Sequence, residues 1–380
     1  MRVVHIIARL NNGGPARVLA SIGTMLRSQG FEMTVLAGAC DAGEDDLSTL
    51  VRTAGLQVIE IPGLGRNIRA TDDLQALAAL IPALYRLRPD VVHTHTAKGG
   101  TLGRIAAAAL GIPSIHTFHG HVLHGYFSRQ TSAAFTWIER GLGLLGRLHA
   151  LTPSLQAELH GTYRIGLRHR WRSLAIPIEP VTPRRASWHE SLDPTLPVIG
   201  FLGRLVPVKD PFLFLEVLQR MNRPVQGLIA GDGPLRRGLE VQARKMGLKV
   251  HFTGFVPAAD ALGRMDVLCM TSRNEGLPLA AIEAAGAGIP VVAPAVGGIV
   301  DLGQGIWVVQ RSATNLAHAI GRLCEDTPFR SERISCGRRF AAALTPQALA
   351  PAWKALYEGA KARGPCPSST SERSWTLALP

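Results

Sequence analysis

The feature that most constrains this chain is an alternation of short apolar runs with longer amphipathic stretches. In the first half the apolar runs are Val3–Ala8, Met33–Ala37, Gln57–Ile61, Val91–Thr94 and Ser114–Phe118. The segments between them, in which apolar residues recur with the helical period, include Ala16–Gln29, Asp72–Leu87 and Gly100–Leu110. Apolar runs of this length are typical of strands buried on both faces of a parallel sheet, and such a sheet needs helical crossovers. The pattern therefore predicts a doubly wound α/β fold.

The second half repeats this alternation after a proline-rich break at residues 176–197. Its apolar runs are Val198–Leu202, Gly227–Ala230, Val250–Thr253, Val267–Thr271, Pro290–Ala293 and Ile306–Val309. A chain of 380 residues also exceeds the usual size of a single core. We therefore predict two Rossmann-like domains, 1–180 and 190–345, that face each other across a cleft, because ligands bind at the carboxyl ends of parallel strands. Residues 364–380 are Ser/Pro-rich and are predicted to be disordered.

Two carboxylates flank a predicted helix start in the second half. Glu275 and Glu283 are eight residues apart. The residues that follow Glu275 are Gly276, Leu277, Pro278 and Leu279. With Glu275 at the helix start, Glu283 would lie near the same side, roughly 12 Å further along the axis. Because the first helical turn has unpaired N–H groups that bind anions, this arrangement suits an elongated ligand with hydroxyls at both ends and a charged middle, such as a nucleotide sugar.

Basic residues and glycines follow the first predicted strand of each half. Arg204 and Lys209 come after Gly203, at a strand end where both could reach a diphosphate. The alternative is that they are solvated loop residues. Gly13 and Gly14 follow the first strand of the chain, and paired glycines let a backbone approach phosphate closely. A plain tight turn is the alternative there, and this turn is not the Gly-x-Gly-x-x-Gly of dinucleotide sites.

Histidines cluster in sequence but do not predict a metal site. They are His93, His95, His116, His119, His121 and His124. No carboxylate or cysteine is spaced to complete a zinc or iron site with them. His119 is predicted to face the cleft as a hydrogen-bonding group, and a structural role is the alternative for His93, His95, His116 and His124. Since the chain also has no Asp-x-Asp pair, Arg204, Lys209 and a helix N-terminus would have to balance the charge of a diphosphate without a metal.

The net charge of +13 is unevenly distributed. The densest basic patch consists of Arg164, Arg168, Arg170 and Arg172. Such a patch could contact an anionic membrane surface, an acidic substrate or nucleic acid, or it could be a solvated surface. Nucleic acid is disfavoured because no known binding module accompanies the patch. The five scattered cysteines predict reduced thiols in a cytoplasmic protein, and we expect neither a signal peptide nor a membrane span.

Taken in order, these motifs resemble the retaining, GT-B-fold enzymes of glycosyltransferase family 4. The matching residues are Gly13 and Gly14, His119, Gly203 with Arg204 and Lys209, Gly231–Leu235, and Glu275 to Glu283. The stretches Thr96–Arg104 and His116–Phe127 are similar to a bacterial polysaccharide-type branch. The chain departs from the family in a shortened loop after residues 296–301.

The resemblance implies a role for each matching residue of the second domain. Arg204 and Lys209 would neutralise the leaving diphosphate. Glu283 would accept hydrogen bonds from the ribose hydroxyls, and Glu275 would contact the donor sugar. The peptides of residues 276–279 would hold phosphate and sugar oxygens.

For the first domain the resemblance implies that His119 faces the reacting sugar and that Gly14, with Gly13 beside it, approaches the diphosphate. It also implies that a C-terminal helix at about 346–363 returns to this domain. The first domain would bind the acceptor and the second the donor.

We therefore predict a retaining, metal-independent glycosyltransferase without a cofactor, which moves a sugar from a UDP-sugar to a glycan or lipid-linked acceptor in bacterial surface polysaccharide synthesis. It would be cytoplasmic and could lie peripherally on the inner face of the plasma membrane. The alternatives are a UDP-N-acetylglucosamine 2-epimerase-like enzyme of the same fold and a non-catalytic membrane-surface binding protein.

Overall fold

A computed structural model of the chain describes residues 1–11, 13–65, 69–120 and 129–362. It divides into two compact units. Among the described residues, unit 1 is Met1–Pro177 together with 346–362, and unit 2 is Ile178–Thr345. The predicted disordered tail and the histidines His121 and His124 lie outside the described residues.

Unit 1 is built on a parallel sheet of seven strands. The strands are β1 (Arg2–Arg9), β2 (Glu32–Gly38), β3 (Gln57–Glu60), β4 (Val91–His95), β5 (Ser114–Phe118), β6 (Arg147–Ala150) and β7 (Trp171–Ser173). The helices are α1 (Gly14–Arg27), α2 (Ser48–Thr53), α3 (Ala70–Leu87), α4 (Ala97–Ala109), α5 (Arg129–Leu142), α6 (Pro153–Ala157) and, at the end of the chain, α13 (Pro346–Lys361). The strand order is β3-β2-β1-β4-β5-β6-β7, and all neighbours pair in parallel.

Unit 2 repeats this architecture with six strands. The strands are β8 (Val198–Leu202), β9 (Gln226–Ala230), β10 (Val250–Gly254), β11 (Val267–Cys269), β12 (Val291–Pro294) and β13 (Trp307–Val309). The helices are α7 (Pro211–Gln219), α8 (Arg236–Lys245), α9 (Ala258–Leu262), α10 (Leu279–Gly286), α11 (Ala313–Glu325) and α12 (Thr327–Ala342). The order is β10-β9-β8-β11-β12-β13, again with parallel neighbours.

The predicted class of two parallel-sheet, Rossmann-like α/β domains is confirmed. Several of the apolar runs form strands that are buried on both faces, as the uninterrupted burial of β4, β5 and β9 shows. Strands β3, β10 and β13 are mostly half-buried. Strands β6 and β7 were not predicted, because arginine or histidine interrupts their short apolar runs.

Helix α13 packs within unit 1. The indole Nε1 of Trp353 donates to the carbonyl oxygen of Ala175 at 2.9 Å, and the Tyr357 hydroxyl lies 2.7 Å from Nδ1 of His93. Both side chains are fully buried. The last helix of the described residues therefore completes the core of unit 1. None of the helices in the described ranges is both long and apolar enough to cross a membrane.

Candidate functional site

The candidate site of unit 2 lies where the strand order of its sheet reverses. From β8 the chain proceeds outward through β9 and β10, and it then returns to form β11 on the other side of β8. Arg204 and Lys209 follow β8, and Glu275 follows β11. The loops after two such neighbouring strands diverge to opposite faces and leave a crevice at the carboxyl edge of the sheet. The topology thus brings together residues that are about 70 positions apart in sequence.

Lys209 and Glu275 form the central contact of this site. Nζ of Lys209 lies 2.5 Å from Oε1 of Glu275, and the Ser272 hydroxyl donates to the same oxygen at 2.6 Å. The Glu275 side chain is only 9% exposed and that of Lys209 is 26% exposed. The carboxylate is thus held in one orientation, while the ammonium stays accessible to a ligand.

Asp210 joins the two loops and was not predicted. Its carboxylate accepts a hydrogen bond from Nε of Arg273 at 3.0 Å and another from Arg311. The backbone is linked as well, since the Thr271 hydroxyl donates to the Lys209 carbonyl oxygen at 2.9 Å. The ion pairs of Asp210 therefore fix the position of Lys209 relative to Glu275. The sequence contains one indication of this role, because an acidic residue directly follows Lys209 at the start of α7.

Arg204 differs from Lys209 in its environment. It is exposed, and no described carboxylate lies within ion-pair distance of it. Two glycines of the loop after β9 hold the adjacent backbone. A Cβ atom on Gly231 would lie 2.0 Å from the carbonyl oxygen of Gly203, and one on Gly233 would lie 2.6 Å from that of Leu205. The Gly-Asp-Gly motif therefore supports the loop that presents Arg204.

The helix near Glu275 begins later than the spacing indicated. Helix α10 starts at Leu279, with Pro278 as its N-cap, so Glu275 and Gly276 lie in the preceding loop and Leu277 is buried there. Glu275 is therefore not at the helix start, and two helical turns do not separate the glutamates. Glu283 is half-buried on α10 itself, one turn after the helix start.

A glycine after β12 determines the conformation at Glu275 and was not identified as a site residue. Gly297 has φ 49°, and a Cβ atom there would lie 2.3 Å from the Glu275 carbonyl oxygen. The next amide, that of Gly298, donates to the same carbonyl oxygen at 2.9 Å. The close backbone approach at Gly297 thus holds the Glu275 loop from the side opposite Lys209.

In unit 1 the predicted glycines lie at the start of α1. Gly13 is the N-cap in an extended conformation, and Gly14 is the first helical residue. Gly14 is exposed. Neither glycine has a positive φ, so neither is needed for a left-handed backbone conformation. Their contribution is that no side chain covers the unpaired N–H groups of the first helical turn.

Several histidines of unit 1 are packed together on its central strands, where His5 of β1 pairs with His93 of β4. His5, His93 and His95 have ring nitrogens within 4.8 Å of one another. Both nitrogens of His93 already have partners, the hydroxyls of Tyr357 and Thr117. Both nitrogens of His95 face other histidines. A metal ion would have to break these hydrogen bonds, so the cluster fits a metal poorly.

His119 follows β5 and is half-buried. Its Nε2 lies 2.9 Å from Nδ1 of His95. Desolvation lowers the pKa of His119 to about 3, and burial likewise lowers the pKa of His5 to about 3. Both rings are therefore neutral at neutral pH. His93, His95 and His116 are fully or almost fully buried, in agreement with structural roles.

The arginine patch is only partly available to a ligand. The Arg170 guanidinium donates to the carbonyl oxygens of Leu144 and Gly146, and Arg172 donates to that of Trp171. Arg164 and Arg168 are exposed. Two of the four arginines thus support backbone, and two point to solvent.

Two family models match the chain. "Glycosyl transferase 4-like domain" matches residues 13–177, and "Glycosyl transferases group 1" matches residues 196–326. The chain is 25% identical over 332 residues to UDP-Gal:alpha-D-GlcNAc-diphosphoundecaprenol alpha-1,3-galactosyltransferase of Escherichia coli, covering 78% of this chain and 80% of that protein. It is 28% identical to D-inositol 3-phosphate glycosyltransferase of Jonesia denitrificans, covering 90% and 88%.

The fold is similar to that of HepE from Anabaena, solved in complex with UDP-glucose. The TM-score is 0.79 at 19% identity, and the alignment covers 94% of this chain and 100% of the other. The two family models together span most of both units, and the full-length relatives are glycosyltransferases. The chain therefore belongs to the glycosyltransferases of the GT-B fold and the family 4 type.

Proposed function

We propose that this glycosyltransferase uses a UDP-sugar as donor and transfers the sugar with retention of its anomeric configuration. The observation that carries the proposal is the contact of Lys209 with Glu275 at the point where the unit 2 sheet reverses its strand order, with exposed Arg204 in the same loop as Lys209. Two similar proteins support the donor class, since one relative is a UDP-galactose enzyme and a structural neighbour was solved in complex with UDP-glucose.

Stabilisation of the leaving diphosphate is the main catalytic effect in this proposal. Arg204 offers a planar fork and Lys209 a point charge, and both would face the developing negative charge of the leaving group. Glu275 would contact the donor sugar and Glu283 the ribose. The unpaired N–H groups at the start of α10 would receive phosphate oxygens. No protein nucleophile is required if a donor phosphate oxygen accepts the acceptor proton.

The cations also provide the basis for metal independence. Arg204 and Lys209 together carry two positive charges beside a helix N-terminus, which can take the place of a divalent ion. Transfer should therefore continue at an undiminished rate in excess EDTA. A loss of activity that Mg²⁺ or Mn²⁺ restores would contradict this part of the proposal.

The roles of His119, Gly13 and Gly14 remain proposals of the same kind. His119 would hydrogen-bond the reacting sugar as a neutral imidazole, and the α1 N-terminus would approach the diphosphate. A variant in which Gly14 is replaced by valine should lose donor turnover with little change in the free energy of unfolding, because Gly14 is exposed.

The decisive experiment compares charge removal inside and outside the site. Arg204→Ala and Lys209→Ala should each lower transfer from a UDP-sugar by about 100-fold or more. Arg244→Ala is the matched control, since Arg244 is an exposed arginine in the last turn of α8. Near-normal transfer by both site variants would refute the assignment. Incubation with donor alone distinguishes the epimerase-like alternative, which would yield an epimerised sugar nucleotide.

For the acceptor we propose a lipid-linked glycan, with unit 1 contacting an anionic membrane surface. Exposed apolar side chains lie close to the free arginines. Trp137 is 71% exposed, Leu144 54% and Leu167 48%. Their segments are joined by hydrogen bonds from Arg140 to the Tyr163 carbonyl oxygen and from Arg170 to the Leu144 carbonyl oxygen. An exposed aromatic and aliphatic patch beside arginines suits the interface of an anionic bilayer.

Vesicle flotation tests the membrane contact. Binding should rise with the fraction of anionic lipid and fall in an Arg164→Ala/Arg168→Ala double variant and, separately, in Trp137→Ser. Arg86→Ala and Arg88→Ala, at the end of α3, serve as a charge-matched double control. Binding that is equal on neutral and anionic vesicles would remove the electrostatic part of the proposal.

A further inference from the structure

Three histidines form a hydrogen-bonded chain that ends at His119. Nδ1 of His5 lies 3.0 Å from Nε2 of His95, and Nδ1 of His95 lies 2.9 Å from Nε2 of His119. His5 and His95 are fully buried. Each neutral imidazole has one N–H donor and one lone pair. If His5 donates to His95, then His95 must therefore donate to His119. If His119 donates to His95, then His95 must donate to His5.

The inner end of the chain indicates that direction. Nε2 of His5 is buried and has no hydrogen-bond partner among the described residues. If the proton were on this nitrogen, a buried N–H donor would be left unpaired, and such orphaned donors are rarer in proteins than unpaired acceptors. The proton of His5 is therefore assigned to Nδ1. His5 then donates to His95, and His95 donates through its own Nδ1 to Nε2 of His119.

A second chain in the same core provides a comparison because its direction is fixed. The Leu174 carbonyl oxygen can only accept, so Nε2 of His149 donates to it at 2.8 Å. The Thr117 hydroxyl must then donate to Nδ1 of His149 and accept from Nε2 of His93. The Tyr357 hydroxyl donates to Nδ1 of His93. This chain contains no hydrogen bond to His119.

We propose that His5 and His95 are positioning residues that hold His119 in the tautomer with its proton on Nδ1. This rests on the proposed role of His119 at the reacting sugar. Since Nε2 accepts from His95, the proton of His119 is on Nδ1, and no other described residue hydrogen-bonds that atom. The ligand atom that it contacts must therefore be an acceptor, such as a sugar hydroxyl or ring oxygen. A freely exchanging tautomer would offer a donor only part of the time.

Long-range ¹H–¹⁵N correlation of the imidazole rings in the full-length protein measures the tautomers directly. At pH 7.5, His119 should show a protonated Nδ1 and an unprotonated Nε2, and the His119→Gln spectrum assigns its signals. The opposite tautomer in the wild-type protein would overturn the proposal. This readout needs neither donor nor acceptor, so it remains decisive even if the proposed transfer reaction fails.

Variants at His5 test whether the relay, and not only the fold, sets the tautomer. His5→Leu removes the donor and should shift His119 to the other tautomer or to a mixture. His5→Asn places an N–H near the position of Nδ1 and should restore the wild-type signals. His149→Leu breaks the second chain and should leave the His119 signals unchanged. An unchanged His119 tautomer in His5→Leu would refute the relay.

Steady-state transfer gives the functional readout. His5→Leu should lower kcat about tenfold, as expected for one neutral hydrogen bond lost in the transition state. His5→Asn should recover most of that loss. A fall in kcat that is equal in His5→Leu, His5→Asn and His149→Leu would indicate a purely structural effect and contradict the proposal.

Discussion

At the scale of single residues, the candidate site depends on the restrained conformation of Glu275. Lys209 and Ser272 bind one of its carboxylate oxygens, and the Gly298 amide binds its carbonyl oxygen. A flexible glutamate would lose rotamer entropy when it binds a sugar. The Glu275 side chain is already ordered in the folded protein, so binding a sugar would cost less entropy. Lys209 remains partly exposed and can contact a second anion.

Gly297 gives the sharpest test at this scale. In Gly297→Ala the new methyl group would clash with the Glu275 carbonyl oxygen, and alanine would have to adopt the left-handed backbone conformation of residue 297. The Glu275 loop must therefore move. We expect a loss of more than about 2 kcal/mol in the free energy of unfolding and at least about tenfold weaker UDP binding. Denaturant unfolding and calorimetry with UDP measure the two effects.

The matched control is Gly247→Ala. Gly247 also has a positive φ, 65°, but a Cβ atom there meets nothing within 4 Å. This substitution should cost about 1 kcal/mol of conformational strain and leave UDP affinity unchanged. Equal effects of the two substitutions would show that the contact with Glu275 is unimportant.

At the scale of elements, helix α13 is attached to unit 1 by polar contacts inside an apolar interface. Tyr357 and Trp353 each bury a large ring and each donate one hydrogen bond, to Nδ1 of His93 on β4 and to the carbonyl oxygen of Ala175 after β7. Because these donors are buried, loss of one leaves its acceptor unpaired.

Tyr357→Phe tests this attachment. It removes the donor to Nδ1 of His93 while keeping the ring, so we expect a loss of about 1–3 kcal/mol in the free energy of unfolding. Lys354→Ala, which removes an exposed pair with Glu358 on the same helix, should change it by less than about 0.5 kcal/mol. Urea denaturation followed by tryptophan fluorescence gives both values. No difference between the variants would mean that the hydroxyl is dispensable.

At the scale of the whole molecule, the buried histidines should make the protein acid-sensitive. Burial lowers the pKa of His5 and His119 to about 3 and of His149 to about 4. The further histidines whose pKa is lowered well below 6.5, again chiefly by burial, are His93, His95 and His116. In the unfolded chain each would have a pKa near 6.5.

The free energy of unfolding should decrease at acidic pH because the unfolded chain binds more protons than the folded protein. Between about pH 6.5 and 4 the unfolded chain binds protons that the folded protein does not, so the free energy of unfolding falls as pH falls. Each fully buried histidine contributes a slope of about 1.4 kcal/mol per pH unit in this window. Denaturation at several pH values should therefore show stability that is steady above pH 7 and falls steeply below 6.5. A free energy of unfolding that does not change between pH 7.5 and 5.5 would contradict this expectation. His116→Gln should reduce the slope of the free energy of unfolding against pH.

The two units also predict how fragments behave. The fragment 178–345 should fold alone and be stabilised by UDP, because it contains a complete sheet and core. The fragment 1–177 should fold poorly, because it lacks α13 and leaves the partners of Tyr357 and Trp353 exposed. Circular dichroism and thermal shifts with UDP check both. A well-folded 1–177 fragment, or a 178–345 fragment indifferent to UDP, would refute the respective expectation.

The sequence by itself determined most of the strands, all except β6 and β7, together with their parallel arrangement and most of the residues proposed for the site. A strand that is buried on both faces is mostly a continuous apolar run, and that signal is local, so Val198–Leu202 and Ser114–Phe118 were predicted with the observed bounds. Arg204, Lys209 and Glu275 could be predicted because residues at strand ends, in a motif resembling a known family, have few structural reasons to be charged.

Only the tertiary structure decided how these residues are held. The role of Asp210 depends on Arg273 and Arg311, and that of Gly297 on the backbone of Glu275. Likewise, the alignment of His5, His95 and His119 depends on strands that pair out of sequence order. Contacts between positions far apart in sequence leave no local pattern of periodicity or spacing, because they arise from packing and not from the conformation of one segment.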